Sequence, residues 1–185
     1  MGDLTLVTGG ARSGKSAFAE ALAARAGRPV TYIATLEPLD EEMRLRVDRH
    51  RARRPTAWRT IEAGSNLADA VHAASGADAI LIDCIAVWTS NRLLGLQDEE
   101  PAAPALDRLE DQLAGDVSAL LDALGARSGP AIVVTNEVGD GLVPPYALGR
   151  AYRDLLGRVN QQLSRAAQHA YLVVAGRPLP LPPPF

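Results

Sequence analysis

The sequence predicts an α/β fold, in which helices cover both faces of a mostly parallel β-sheet. Three observations support this prediction. Short, β-prone apolar runs alternate with longer helical stretches along the chain. Most of these runs are continuously apolar, as strands buried on both faces are. A glycine-rich segment separates the first run from the first helical stretch. Alternation of this kind is typical of βαβ units with parallel strands.

The predicted elements follow one another in a regular order. Apolar, β-prone runs predict five strands, at residues 4–8, 30–34, 79–83, 131–135 and 170–174. A weaker run at residues 58–62 is expected at a sheet edge. Strong helix formers predict helices at residues 16–26, 40–53, 66–75, 85–94, 105–125 and 147–168. The chain is expected to form one domain, 1–177, followed by an extended proline-rich tail, 178–185.

Composition limits the classes of function. A chain of 185 residues is long enough for one domain with its own core. The net charge of -3 argues against a nucleic-acid partner. Cys84 is the only cysteine, which excludes an intramolecular disulfide. No signal-peptide pattern is present, and no apolar run approaches the roughly 20 residues of a membrane span. We therefore expect a cytoplasmic protein without a membrane span.

One segment fits the phosphate-binding-loop pattern Gly-x4-Gly-Lys-[Ser/Thr]. It reads Gly9-Gly10-Ala11-Arg12-Ser13-Gly14-Lys15-Ser16 and lies between a predicted strand and a predicted helix. The glycines let backbone N–H groups face phosphate oxygens, and the helix N-terminus adds partial positive charge. Lys15, the only lysine of the chain, is expected to reach the terminal phosphates, and Ser16 to hold Mg2+. The motif indicates a P-loop NTPase-like fold that binds a nucleoside triphosphate.

An arginine-rich segment, 44–54, contains His50. On a helix, Arg46, His50 and Arg54 recur every four residues and share a face. Spacing alone leaves three interpretations open. The segment is a solvated basic helix, a nucleic-acid patch, or the carrier of a phosphate-handling nucleophile. The second is disfavoured because interleaved aromatic residues are missing. The third is chemically reasonable because nearby arginines lower the pKa of a histidine and keep its imidazole neutral.

Several polar residues follow predicted strands. Asp83 ends the apolar run 79–83, and its carboxylate suits either Mg2+ binding or strand-end capping. Glu62 is either an acceptor for ribose or guanine or an ordinary surface residue. Asn136 and Glu137 follow the run 131–135, at the strand end where ligands bind in open α/β sheets. Cys84 is expected to be a small buried apolar residue, not a nucleophile.

Arg158 and Asn160 lie in the last predicted helix, where subunit contacts and substrate contacts are both open. His72 and His169 are expected to be structural. Trp58 and Trp88 are expected to be packing residues.

Several motifs together carry a family resemblance. They are Thr8–Ser16, Tyr32–Thr35, Asp40–Met43, His50–Pro55, Thr135–Gly139 and Gly157–Gln161. The series resembles the bifunctional adenosylcobinamide kinase/adenosylcobinamide-phosphate guanylyltransferase family of cobalamin biosynthesis. The resemblance covers about residues 4–176. The phosphate loop alone is unspecific, whereas its combination with Glu-Met-x6-His-Arg and the two later motifs is highly specific.

The resemblance implies two reactions on one chain. The first phosphorylates adenosylcobinamide, a corrinoid, with ATP or GTP. The second transfers GMP from GTP to the new phosphate, giving adenosylcobinamide-GDP and pyrophosphate. The guanylylated histidine of the family corresponds to His50. The resemblance also implies a homotrimer. Implied nucleotide contacts are Gly9, Gly10, Ala11, Arg12, Ser13, Gly14, Lys15, Ser16, Ala34, Thr35, Leu36, Arg51, Ala52, Arg53, Arg54, Glu62, Asp83 and Cys84.

Two other functions share the phosphate loop. A simple small-molecule kinase would use the loop and leave His50 without a role. A nucleotide-dependent switch would usually read guanine with Asn-Lys-x-Asp. That motif is excluded because the single lysine already lies in the phosphate loop.

Overall fold

A computed structural model describes residues 3–36 and 55–184. Within these residues the strands form one sheet of seven, in the order β3-β2-β4-β5-β1-β6-β7. All neighbouring strands run parallel except β6 and β7. The mostly parallel sheet is confirmed, and the weak run at 58–62 is its edge strand β3. The strands are β1 (Leu4–Thr8), β2 (Val30–Ala34), β3 (Arg59–Glu62), β4 (Ala79–Asp83), β5 (Ala131–Val134), β6 (His169–Val174) and β7 (Arg177–Pro180).

The helices of the described residues are α1 (Lys15–Arg25), α2 (Leu67–His72), α3 (Ile85–Leu94), α4 (Ala103–Gly125) and α5 (Ala147–Ala166). The helix expected at 40–53 lies outside the described residues. Helix α2 is shorter than the predicted 66–75 and ends at His72. It begins after Asn66 because Asn66 is its cap and accepts a hydrogen bond from Asp69 N at 3.2 Å. None of these helices is both long and apolar enough to cross a membrane.

Alternate residues of each strand supply the two faces of the sheet. Ile80 and Ile82 of β4 belong to a core cluster with α2, α3, α4 and α5, whereas Ala79 and Leu81 belong to a second cluster with α1. Both faces are therefore covered by helices, which explains why the central strands read as continuous apolar runs.

The proline-rich end contributes one strand. Its residues 177–180 form β7, antiparallel to β6. Ala175 and Gly176 connect the two strands, both with positive φ, at 49° and 77°. Strand β7 lies at the sheet edge. Pro178 and Pro180 have no backbone N–H, and on the side of β7 that faces no other strand this leaves no hydrogen bond unmade. The division of the chain at residue 177 stays a prediction.

Gly129, between α4 and β5, is expected to tolerate no side chain. A Cβ there would overlap the backbone carbonyl oxygen of Asp78, and backbone atoms cannot rotate away. We expect Gly129→Ala to lower the free energy of unfolding by about 1–3 kcal/mol, measured by urea denaturation. The control is Gly115→Ala, at an exposed site within α4 where a Cβ meets no atom within 4 Å. That change should raise stability by about 1 kcal/mol through helix propensity. A Gly129→Ala protein as stable as the native one would contradict this account.

Candidate active site

The parallel strands bring the predicted site segments to one edge of the sheet. Ala34 pairs with Glu62 on one side and with Asp83 on the other. Asp83 in turn pairs with Val134, which is also the partner of Val7. The carboxyl ends of β1 to β5 therefore meet at one edge, where ligands bind in such sheets. The phosphate loop, residues 34–36, Glu62 and residues 83–84 all lie there.

The phosphate loop needs glycine at two positions for different reasons. Gly9 packs so closely that a Cβ would lie 2.5 Å from Val173 O and 2.7 Å from Ser13 Oγ. Gly14 has a φ of 95°, in the left-handed region that favours glycine. Gly14 is also the N-cap residue of α1, and because glycine has no side chain it makes no capping hydrogen bond to the first N–H groups of the helix. The first N–H groups of a helix have no partner within the helix, so they can bind an anion here.

Lys15 lies on the loop that it is expected to serve. Its Nζ donates a hydrogen bond to Gly10 O at 3.1 Å. Lys15 is the first residue of α1 and directly follows Gly14. The ammonium therefore lies against the backbone of the phosphate loop.

Two backbone hydrogen bonds from distant parts of the chain hold the loop. Glu137 N, after β5, donates to Gly9 O at 3.1 Å. Gly176 N, in the β6–β7 turn, donates to Ser13 O at 2.7 Å. The role of this turn was missed from the sequence. A β-prone run followed by Ala-Gly is the available signal, because two-residue hairpins favour glycine where φ is positive.

Asp83 and Ser16 are the predicted Mg2+ ligands. Ser16 lies in the first turn of α1, and Asp83 ends β4. Tyr32 donates a hydrogen bond from its hydroxyl to Asp83 Oδ2 at 2.9 Å, which orients the carboxylate. A hydroxyl and an oriented carboxylate are hard oxygen donors of the kind that Mg2+ prefers. The residues therefore fit the ion.

Cys84 is not a nucleophile at neutral pH. Burial raises the pKa of its thiol to about 12, and the charge of Asp83 acts in the same direction. The thiol therefore stays protonated, whereas a nucleophilic cysteine must be a thiolate.

Thr35 joins the ends of β2 and β4. Its hydroxyl donates to Cys84 O at 2.7 Å and accepts from Cys84 N at 2.9 Å. Asn91 Nδ2 donates to Thr35 O at 3.1 Å. The hydroxyl of Thr35 is thus engaged with backbone groups and fixes the geometry of the edge. Nucleotide contacts by Ala34, Thr35 and Leu36 stay predictions.

The end of β5 is fixed by α5. Thr135 Oγ1 donates to Asn160 Oδ1 at 2.7 Å, and Asn160 Nδ2 donates to Asn136 O at 3.0 Å. Asn160 is therefore a positioning residue for the loop after β5. Arg158 forms an ion pair with Glu110 of α4 instead.

The remaining candidates are not part of the edge described above. The described residues do not include His50, nor its neighbours Arg51, Ala52, Arg53 and Arg54. His72 and His169 are exposed, the latter 3.8 Å from the carboxylate of Asp3. Trp88 is buried and donates its indole N–H to Ser65 O at 2.8 Å, as a packing residue does.

Solved structures support the fold. An ATPase from the type III secretion system of pathogenic bacteria matches with a TM-score of 0.51 and 14% identity. The match covers 93% of this chain and 51% of that one. At this identity the likeness concerns the fold alone.

Protein sequences give a closer comparison. CobU of Escherichia coli, a bifunctional adenosylcobalamin biosynthesis protein, is 41% identical over 94% of this chain and 96% of its own. CobP of Pseudomonas aeruginosa, which carries the same description, is 41% identical over 95% of both chains. CobU of Salmonella typhimurium is 42% identical over 94% of this chain and 96% of its own.

A family model extends these pairwise matches to a whole group of proteins. The model described as cobinamide kinase / cobinamide phosphate guanyltransferase matches residues 5–181. That range includes the phosphate loop and every strand of the described sheet except the first residue of β1. The chain belongs to the cobinamide kinase / cobinamide phosphate guanyltransferase family.

Proposed function

We propose that this chain phosphorylates adenosylcobinamide with ATP or GTP and then transfers GMP from GTP to adenosylcobinamide phosphate. The proposed second step proceeds through a guanylyl group on His50. The observation that carries the proposal is the phosphate loop, with Lys15 against its backbone, at the sheet edge where Asp83 ends β4, in a chain of this family. The homotrimer and the cytoplasmic location stay predictions.

The kinase step is a transfer of the γ-phosphoryl group. The acceptor hydroxyl oxygen bonds to the γ-phosphorus, the bond to the β,γ-bridging oxygen breaks, and the hydroxyl proton leaves to water. Lys15 and the N–H groups at the start of α1 stabilise the negative charge on the phosphates. Mg2+, held by Ser16 and Asp83, would neutralise charge on the phosphate oxygens.

The guanylyl step divides into two displacements. A nitrogen of the neutral His50 imidazole bonds to the α-phosphorus of GTP, and the bond to the α,β-bridging oxygen breaks. Pyrophosphate leaves, stabilised by the phosphate loop and Lys15. An oxygen of the acceptor phosphate then bonds to the same phosphorus, and the N–P bond breaks. Covalent catalysis of this kind replaces one difficult step by two easier ones.

The residues around these phosphates have proposed roles as well. Arg51, Arg53 and Arg54 would contact the α-phosphate, the ribose or the base, together with the adjacent Ala52. Glu62 lies at the carboxyl end of β3, where its carboxylate suits hydrogen bonds from the ribose or guanine. The neighbouring ends of β2 and β4 support this placement, because Glu62 and Asp83 flank Ala34 in the sheet.

The guanylyl-histidine predicts a covalent label. After incubation with GTP labelled at the α-phosphate and denaturation, we expect a label that acid removes and alkali does not. His50→Ala should abolish the label, because the proposed nucleophile that bonds to the α-phosphorus is the imidazole of His50. The matched control is His72→Ala, at an exposed position of α2, which should label fully. Absence of label in active native protein would overturn the intermediate and favour a simple kinase.

Lys15→Ala should impair both reactions. We expect kcat/KM to fall at least about 100-fold for each, because one group that stabilises phosphate charge is removed in each transition state. Lys15→Arg should not restore full activity, since a planar guanidinium differs from a compact ammonium. Arg25→Ala, at an exposed position of the last turn of α1, is the control. Retention of both activities by Lys15→Ala would refute the role of the loop.

Asp83→Asn should raise the Mg2+ concentration needed for half-maximal rate. Tyr32→Phe, which keeps the carboxylate but removes its 2.9 Å hydrogen bond, should raise it about tenfold. We expect the effect of Asp83→Asn to exceed that value. A Mg2+ titration of the kinase reaction measures both effects. If the two variants titrate like the native protein, Asp83 is a strand-end cap only.

A further inference from the structure

Asn136, the second residue after β5, carries a side-chain amide to which the site described above gives no role. Asn160 Nδ2 donates to the backbone oxygen of Asn136 at 3.0 Å, so this contact does not engage the amide. No hydrogen bond joins the amide to another of the described residues. Asn136 is half-buried, and neither of its amide atoms is among the unpaired polar atoms that are shielded from solvent. A ligand can therefore reach both the donor Nδ2 and the acceptor Oδ1.

The order of the strands places Asn136 between two parts of the proposed nucleotide site. Strand β5 lies between β1 and β4 in the sheet. Strand β1 leads into the phosphate loop, whereas β4 ends at Asp83. The hydrogen-bonded pairing with β1 continues past the end of β5, since Glu137 N donates to Gly9 O at 3.1 Å. Asn136 therefore lies in a paired segment between the phosphate loop and Asp83.

Alternation along this segment directs the amide toward the face of the sheet that α1 covers. Val134, the last residue of β5, belongs to the core cluster that includes α1. The hydroxyl of Thr135 lies on the other face, where it donates to Asn160 Oδ1 of α5 at 2.7 Å. Successive side chains of a strand point to opposite faces, so Asn136 points to the same face as Val134.

Asp83 and the start of α1 lie on that face as well. Leu81, two residues before Asp83, belongs to the same cluster as α1. Tyr32 is another member of this cluster, and its hydroxyl donates to Asp83 Oδ2 at 2.9 Å. Helix α1 begins at Lys15, directly after the loop. The amide of Asn136 therefore faces a space that is bordered by the phosphate loop, the first turn of α1 and Asp83.

We propose that Asn136 Nδ2 donates a hydrogen bond to an oxygen of the γ-phosphate of the bound nucleoside triphosphate. This inference rests on the proposed function, which supplies the triphosphate. The γ-phosphate is favoured over the α-phosphate because Lys15, which borders the same space, is expected to reach the terminal phosphates. A neutral amide adds a donor without adding negative charge beside Asp83, and a hydrogen bond to a charged acceptor is stronger than one to a neutral acceptor.

The two proposed reactions depend on this contact to different degrees. In the kinase step the acceptor oxygen bonds to the γ-phosphorus while the bond to the β,γ-bridging oxygen breaks. Asn136 stabilises the charge on the transferred group and neither gives nor takes a proton. In the guanylyl step the bond that breaks is at the α-phosphorus, so a contact to the γ-phosphate changes little before the transition state. Asn136→Ala should therefore lower kcat of the kinase reaction about tenfold or more, and kcat of guanylyl transfer much less.

Equilibrium binding tests the contact without either reaction. The ligands are the α,β-methylene analogues of GTP and GDP, which differ by the γ-phosphate and resist guanylyl transfer. We expect the native chain to prefer the GTP analogue, and Asn136→Ala to reduce this preference about tenfold, as loss of a hydrogen bond to a charged group would. Asn136→Asp should reduce it further, because a carboxylate repels the phosphate. Gln112→Ala, which removes an exposed amide from α4, is the matched control.

Three results would overturn the proposal. They are an unchanged preference in Asn136→Ala, an equal loss of affinity for both analogues, and full retention of the preference in Asn136→Asp. The second result would assign the amide to a part that both nucleotides share, and the third would assign Oδ1 to a cation. Thermal unfolding guards against misfolding. Because Asn160 contacts the backbone oxygen of Asn136, both variants should keep the native Tm.

The binding measurement also separates this inference from the proposed reactions. A protein that forms no guanylyl label but loses its preference for the GTP analogue in Asn136→Ala would refute guanylyl transfer alone. A protein that performs both reactions, while Asn136→Ala keeps the native preference, would refute the role of Asn136 alone.

Discussion

The close approach of three chain segments at Gly9 is the constraint on which the phosphate loop depends. Gly9 O accepts a hydrogen bond from Glu137 N, after β5, and a Cβ on Gly9 would lie 2.5 Å from Val173 O of β6. Strands β5 and β6 are the two neighbours of β1 in the sheet. The register of the central strands therefore sets the shape of the loop. A backbone loop that binds an anion needs neighbouring strands to hold its shape, because its N–H groups must be oriented before the phosphate binds.

Side-chain hydrogen bonds make the rest of the edge rigid. Thr35 ties the end of β2 to the backbone of Cys84, and Asn160 ties α5 to the end of β5. Tyr32 holds the carboxylate of Asp83. Polar groups that are satisfied in this way specify one arrangement of the strand ends. Thr35, Asn160 and Tyr32 thus contribute to the site by orienting neighbouring groups of the protein.

The sequence predicts the parts of the fold that depend on local pattern. Continuous apolar runs predict the central strands, and the phosphate loop is a contiguous motif whose spacing is sufficient to find it. The hairpin between β6 and β7 was missed because Ala175 adopts a positive φ that alanine disfavours. The hydrogen bond from Gly176 of this hairpin to Ser13 joins residues far apart in the chain, so no local pattern predicts it. The role of His50 stays a prediction.

The two proposed reactions give a physical reason for a covalent intermediate. In the proposed kinase step the reacting phosphorus is the γ-phosphorus of a nucleoside triphosphate, whereas in the proposed guanylyl step it is the α-phosphorus of the same kind of nucleotide. One fixed acceptor position cannot be in line with both phosphorus atoms of a triphosphate that is held by one loop. In-line geometry within about 3–3.5 Å is needed for each displacement. A histidine that accepts GMP separates release of pyrophosphate at the loop from attack by the acceptor phosphate, so each displacement can have its own geometry.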